Sequence, residues 1–254
     1  MYGLTLMMLV RVHSCYGAGL PDTIDRLKAS VVGVGTVKPA KRLHAKGPAV
    51  IFAGTGFIVG DGRHVVTNNH VIAREMDTDQ KETLAVFVGR GRQSQVRPAT
   101  IVQTDPEHDL ALLKIEGDPM PVIDLGESDR IREGEEIAFT GFPIGVVLGL
   151  YPVTHTGIIS AITPIVIPAN SSSTLSAEQV RRMRNPITVY QLDATAYPGN
   201  SGSPVYEVET GSVIGVINSV FVKETRETLL QKPSGITYAI PVTHVHALIQ
   251  NQGK

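Results

Sequence analysis

The chain has 254 residues, 42% apolar and 19% charged, and a formal net charge of -1. This length serves one large domain or two halves sharing a core, with a sizeable interior. The near-neutral balance excludes a nucleic-acid binder, which needs a basic excess to meet phosphate, and a charge-driven disordered chain.

Residues 4–10 form a short apolar run, followed by the small residues Gly17, Ala18 and Gly19. This reads as a weak secretory signal over residues 1–19, because no Lys or Arg precedes the run and Arg11 interrupts it. The expectation is a mature protein beginning near Leu20, periplasmic or secreted, with a cytoplasmic protein as the alternative. The run is too short for a membrane span, which takes about 20 apolar residues. Cys15, after Val12-His13-Ser14, matches a lipoprotein cleavage box only weakly. As the single cysteine, it cannot close an internal disulfide.

Further along, short runs rich in Val, Ile and Leu recur between Gly, Pro, Asp and Asn. They fall at residues 31–37, 54–59, 64–67, 84–88, 99–103, 110–115, 136–140, 153–162, 187–193, 213–222 and 236–240. Such runs predict strands, and Gly60-Asp61-Gly62 is a hairpin signal, because glycine tolerates positive φ. The fold class expected is all-β, a barrel or sandwich of about a dozen strands. Residues 116–135, rich in Pro, Gly and charge, read as a linker between two β halves. Residues 169–186 read as a polar insertion, in which Ser171-Ser172-Ser173-Thr174 would cap a short helix at 177–183. The C-terminus predicts a helix over 242–251, with Thr243 as N-cap and Val242, Val245, Leu248 and Ile249 at helical spacing.

Three segments point to chemistry. Thr67-Asn68-Asn69-His70 ends a predicted strand, where an imidazole can reach a cleft as general base. Asp109 heads the apolar run Leu110-Ala111-Leu112-Leu113, and a half-buried carboxylate there needs a donor such as an imidazole N–H. Gly199-Asn200-Ser201-Gly202-Ser203-Pro204 allows a sharp turn that exposes the Ser201 hydroxyl and aims the Gly199 and Ser201 N–H groups at one point. Acyl transfer needs such donors for the oxyanion.

Together these segments resemble the chymotrypsin-fold serine peptidases, and specifically the bacterial HtrA/Deg-type protease domain. Gly54-Thr55-Gly56-Phe57 with Thr67 to Val71 is similar to that family's histidine segment. Asp109 to Lys114, Gly141-Phe142-Pro143-Ile144-Gly145, Pro198 to Pro204 and Gly235 to Pro241 are similar to its other motifs. The order His, Asp, Ser along the chain is that of chymotrypsin. The resemblance implies two six-stranded antiparallel barrels, one about 28–118 and the other about 136–241, with the site between them. It implies a serine endopeptidase with His70, Asp109 and Ser201 as triad and the Gly199 and Ser201 N–H groups as oxyanion hole.

By the same mapping the substrate pocket takes Thr195, Ala196, Tyr197, Asn218, Ser219, Val220 and Phe221, with residues 235–239. Thr195 occupies the floor position, where trypsin-like enzymes carry an Asp, so cleavage after small or medium aliphatic residues of unfolded polypeptides is expected. Two departures stand out. Residues 1–254 carry no motif resembling the family's PDZ module, so a protease domain alone is expected, and the segment 162–193 reads as longer than the family's. The family's trimer stretch has no residue-by-residue match, so a homo-oligomer is left open. No cofactor is implied, nor any metal: His244 and His246 are two apart and would face different ways on a helix. Competing readings are a catalytically inert binding module on the same fold and an esterase using the same triad.

Overall fold

Alternating branched residues need a partner strand on each edge and a core on one face, and barrel closure supplies both. In a computed structural model that describes residues 19–39, 49–74, 76–143, 149–165, 186–218 and 236–251, the strands form two closed six-stranded antiparallel barrels. The first comprises β1 (Val31–Lys38), β2 (Ala49–Val59), β3 (His64–Asn68), β4 (Thr83–Val88), β5 (Gln95–Asp105) and β6 (Leu110–Ile115), in the order β1-β2-β3-β6-β5-β4. The second comprises β7 (Glu136–Gly141), β8 (Val153–Ile165), β9 (Ile187–Asp193), β10 (Pro204–Glu207), β11 (Val213–Asn218) and β12 (Ile236–Pro241), in the order β10-β11-β12-β9-β8-β7. Helices α1 (Leu20–Leu27), α2 (Asn69–Ile72) and α3 (Val242–Gln250) complete the described elements. The all-β double barrel with a C-terminal helix is therefore the fold. No helix among the described residues is long and apolar enough to cross a membrane.

The apolar run of β6 serves two cores. Leu113 and Ile115 point into the first barrel with Val32, Val34, Ile58 and Val65. Leu110 and Leu112 point the other way, into a cluster shared with Ala138, Val189, Tyr206 and Val216 of the second barrel. Phe57 and Phe142 join that shared cluster and are both buried. Apolar packing thus joins the barrels along the cleft, so residues on either wall keep a fixed relation.

Residues 116–135 are not a loose tether. The Ile123 N–H donates to Ile58 C=O at 3.0 Å and the Gly126 N–H to Val213 C=O at 2.8 Å. Ile123 and Ile131 are both buried. The segment reads as a linker by composition, yet its backbone is bonded to both barrels. The expected helix at 177–183 and the apolar run at 4–10 lie outside the described residues.

Helix α3 buries Val242, Val245 and Leu248, as its spacing predicts. Its N-cap is Pro241 rather than Thr243. The Thr243 N–H instead donates to Ser128 Oγ at 3.1 Å, so a hydroxyl from the linker takes the free amide. The rings of His244 and His108 stack at 3.7 Å, while His246 Nε2 bonds Gly126 C=O at 2.9 Å. Asp105 Oδ2 lies 2.6 Å from His108 Nδ1. Burial and the neighbouring His108 push the His244 pKa down to about 4. An unfolded histidine titrates near 6.5, so between those values the unfolded chain binds a proton that the folded chain refuses. This contribution is intact above about pH 6.5 and is lost as the pH falls, by up to roughly 3 kcal/mol. The melting midpoint should therefore drop by several degrees between pH 7 and pH 4.5. In His244→Phe, which keeps the stack and removes the proton site, that slope should flatten. An equally steep slope in the variant would assign the acid sensitivity elsewhere.

Candidate active site

The first wall of the site comes from β3, which runs straight into α2 and carries His70 out of the barrel. Facing it, the turn before β6 is built by Asp105, whose Oδ1 accepts the N–H groups of Glu107 and His108 at 3.1 Å each. Asp109 follows with φ +51°, a left-handed conformation that Asp and Asn tolerate better than most residues. Its C=O accepts the Asn69 N–H at 3.0 Å and Asn68 Nδ2 at 3.1 Å. That twist turns the carboxylate back onto α2. Asp109 Oδ1 accepts the His70 backbone N–H at 2.8 Å, and Oδ2 lies 2.6 Å from His70 Nδ1. A carboxylate so close assigns the ring proton to Nδ1 and leaves Nε2 with its lone pair.

Asn218 at the end of β11 adds a third donor, Nδ2 to Asp109 Oδ2 at 2.7 Å. Asn218, expected in the pocket wall, is buried and also serves Asp109 through this bond. Three donors from α2 and β11 thus converge on one carboxylate, and the contact spans both barrels.

Ser201 lies between β9 and β10. Thr55 of β2 reaches across and grips this loop. Its N–H donates to Ser201 C=O at 2.8 Å and its Oγ1 to Gly199 C=O at 2.7 Å. Thr55 is itself held by Thr67 Oγ1 and by the Phe142 N–H. A Cβ at Gly202 would lie 2.0 Å from Thr55 O, and its φ is +87°, so only glycine fits beside the serine. A Cβ at Gly54, one residue before Thr55, would lie 2.9 Å from Ser201 O and 2.7 Å from Val71 Cγ2. The serine loop and the helix carrying His70 therefore flank the same point of β2. The expected exposed serine is in fact 5% exposed, since the loop is pressed against β2.

Upstream, Thr237 Oγ1 donates to Ala194 C=O at 2.6 Å and accepts the Ala196 N–H at 3.0 Å. Thr195, Ala196 and Tyr197 lie half-buried in this clamped segment. Ser219, Val220, Phe221 and Gly235 fall outside the described residues. Among the described residues no three His, Cys, Asp or Glu side chains gather as a metal-binding group. Sequence reasoning missed Thr55, Asn218 as a partner of Asp109, and Thr237.

Two antiparallel barrels, with an acid–imidazole pair on one and a glycine-flanked serine on the other, define the chymotrypsin class of double-barrel proteins. Residues 54–216 match the trypsin-like peptidase domain, and the chain belongs to that family. It is 32% identical over 188 residues to a probable periplasmic serine endoprotease DegP-like of Marinomonas sp. (strain MWYL1), across 74% of this chain and 33% of that one. A protein of the same name from Pseudomonas putida (strain GB-1) is 32% identical over 189 residues, across 74% of this chain and 32% of the relative. The chain thus spans about a third of the length of these curated relatives. The crystal structure of Deg5 superposes with a TM-score of 0.61 at 26% identity, covering 89% of this chain and 90% of that one. The HtrA-type protease AlgW with tripeptide gives a TM-score of 0.61 at 26% identity, covering 92% and 63%.

Proposed function

We propose that the chain is a serine endopeptidase of HtrA/Deg type that hydrolyses unfolded polypeptides by a His70–Asp109–Ser201 triad. The observation that carries the reading is the Asp109 carboxylate on His70 Nδ1, beside a serine loop clamped by Thr55. Ser201 Oγ attacks the peptide carbonyl carbon while His70 Nε2 takes its proton. The tetrahedral intermediate collapses as the imidazolium returns that proton to the leaving amine, and water then releases the acyl group by the same exchange. Asp109 fixes the tautomer and stabilises the imidazolium. The Gly199 and Ser201 N–H groups hold the oxyanion, each donor being worth about 10²–10³ in rate.

The relatives' names support a periplasmic setting, and the protease domain is taken as residues 20–254. Thr195 provides no carboxylate at the pocket floor, so a Lys or Arg side chain would enter without a counter-ion and lose hydration. Ala196 and Tyr197 offer apolar walls instead. A methylene is worth only about 1–3 kcal/mol in such a pocket, so the preference for Ala, Val or Ile should be graded. Digestion of denatured casein, with the cuts mapped by mass spectrometry, tests both points. Cuts clustered after small and medium aliphatic residues are expected. No cleavage would remove the function, and a majority of cuts after Lys and Arg would overturn the pocket.

A further inference from the structure

Resting on that reading, we propose that His155 is a positioning residue for the oxyanion donor: its ring holds Tyr197 and thereby sets the peptide that carries the Gly199 N–H. Successive alternate residues of a strand share a face, so His155 and Gly157 of β8 point the same way. They meet the segment leading to the serine. A Cβ at Gly157 would lie 2.2 Å from Asp193 O and 2.9 Å from Ala194 Cβ, so strand and segment are in backbone contact there. Two residues earlier, the His155 ring stacks on Phe139 at 4.9 Å and 21°, and meets the Tyr197 ring at 6.0 Å and 40°. Phe139 is opposite His155 in the β7–β8 register and fully buried, which gives the imidazole a rigid backing. His155 Nε2 is buried with no hydrogen-bond partner among the described residues. Burial also holds the ring's pKa below the ordinary histidine range. The imidazole therefore acts here as a neutral flat face rather than as a polar group.

The consequence follows from which peptide carries which group. Thr237 fixes residues 194 and 196, and Thr55 fixes the carbonyls of 199 and 201. The Gly199 N–H belongs to the peptide between Pro198 and Gly199, which neither threonine touches. Pro198 has a locked φ, which removes one of the torsions between Tyr197 and that peptide and leaves the Tyr197 backbone and the Pro198 ψ to set its direction. Tyr197 C=O accepts the Asn200 N–H at 2.9 Å, closing the turn, and its ring is braced by His155.

The test compares the parent, His155→Ala, His155→Leu and His155→Phe on one peptide amide substrate. Each protein is also measured for binding of a peptide aldehyde, which forms a tetrahedral adduct, and for its melting midpoint. In the alanine variant kcat should fall ten- to a hundredfold, less than the ~10²–10³ of deleting a donor. KM should stay within threefold, and aldehyde affinity should weaken in step with kcat. The leucine variant, which keeps volume and loses the flat face, should behave similarly and carries the comparison if the alanine protein does not fold. His155→Phe should regain at least a third of the parental kcat. A kcat within threefold of parent in both the alanine and leucine variants overturns the inference. So does a loss confined to KM, or a phenylalanine variant as impaired as the alanine one. A parent that neither cleaves nor binds the aldehyde overturns the peptidase reading, and this inference with it.

Discussion

Ser201→Ala is expected to slow peptide hydrolysis by at least about 10⁵-fold, toward the ~10⁶ that loss of a triad serine costs in other enzymes. The residual rate would come from the oxyanion donors and substrate binding alone. The contacts that hold this loop include three between backbone groups: the Thr55 N–H to Ser201 C=O, the Gly202 N–H to Ile217 C=O and the Ser203 N–H to Asn200 C=O. Alanine keeps the Cβ and every one of those bonds, so the melting midpoint should move by at most a few degrees, as for a change of about 1 kcal/mol or less. Initial rates, a thermal melt and the intact mass after a fluorophosphonate probe check this. The parent should gain one probe adduct on the peptide containing Ser201, and the variant none. Activity within tenfold of the parent would mean that another group is the nucleophile. A collapsed melt would mean that Ser201 is structural.

What was legible in the sequence follows from how each element is stabilised. β6 and β9 were readable end to end, because a run such as Leu110 to Ile115 is buried on both faces and bounded by charge. The pattern of β5 predicts five residues where the strand has eleven, because most of that strand is exposed and Arg97, Pro98 and Thr100 break its pattern. β10 was missed: it has four residues and opens with proline, so no period develops. Helix α1 was missed for a related reason. Its buried residues, Thr23 and Leu27, are two in eight, and it is held partly by Arg26 to Thr210 C=O at 2.7 Å. Such a bond to a distant carbonyl has no local signature.

The site divides in the same way. His70, Asp109 and Ser201 each sit in a segment whose local chemistry is unusual. Their approach, however, depends on barrel closure. The groups that hold them act at long range: Thr55 meets Gly199 across 144 positions and Asn218 meets Asp109 across 109. A threonine between two glycines and an asparagine ending a strand carry no mark of that role. The one recoverable signal was backbone: an Asp after Asp105-Pro106-Glu107-His108 suits a left-handed turn position.

Asp109→Asn should lower kcat by about 10⁴ while leaving KM within a few-fold of the parent. Asparagine tolerates the +51° φ nearly as well as aspartate, so the backbone around residue 109 should hold. The side chain cannot satisfy its three neighbours. His70 N–H and Nδ1 and Asn218 Nδ2 all present donors, two of them to the same oxygen. An amide has one accepting oxygen. If its NH₂ occupies the place of Oδ2, it opposes the Asn218 amide and donates to His70 Nδ1. The imidazole proton then moves to Nε2, where it faces Ser201 instead of accepting from it. If the amide flips, its NH₂ faces the His70 backbone N–H, and a part-buried donor pair is left without an acceptor. The first arrangement loses catalysis and the second loses stability. The first should dominate, since the opposed group in the flipped arrangement is the fixed His70 backbone N–H, whereas in the first it is the Asn218 side chain, which can turn, and a tautomer exchange costs little. Steady-state kinetics with a thermal melt separates the outcomes. A normal kcat with a raised KM would make Asp109 the start of a strand and nothing more. A 10⁴-fold loss in kcat with a nearly parental melt would assign it the orientation of His70.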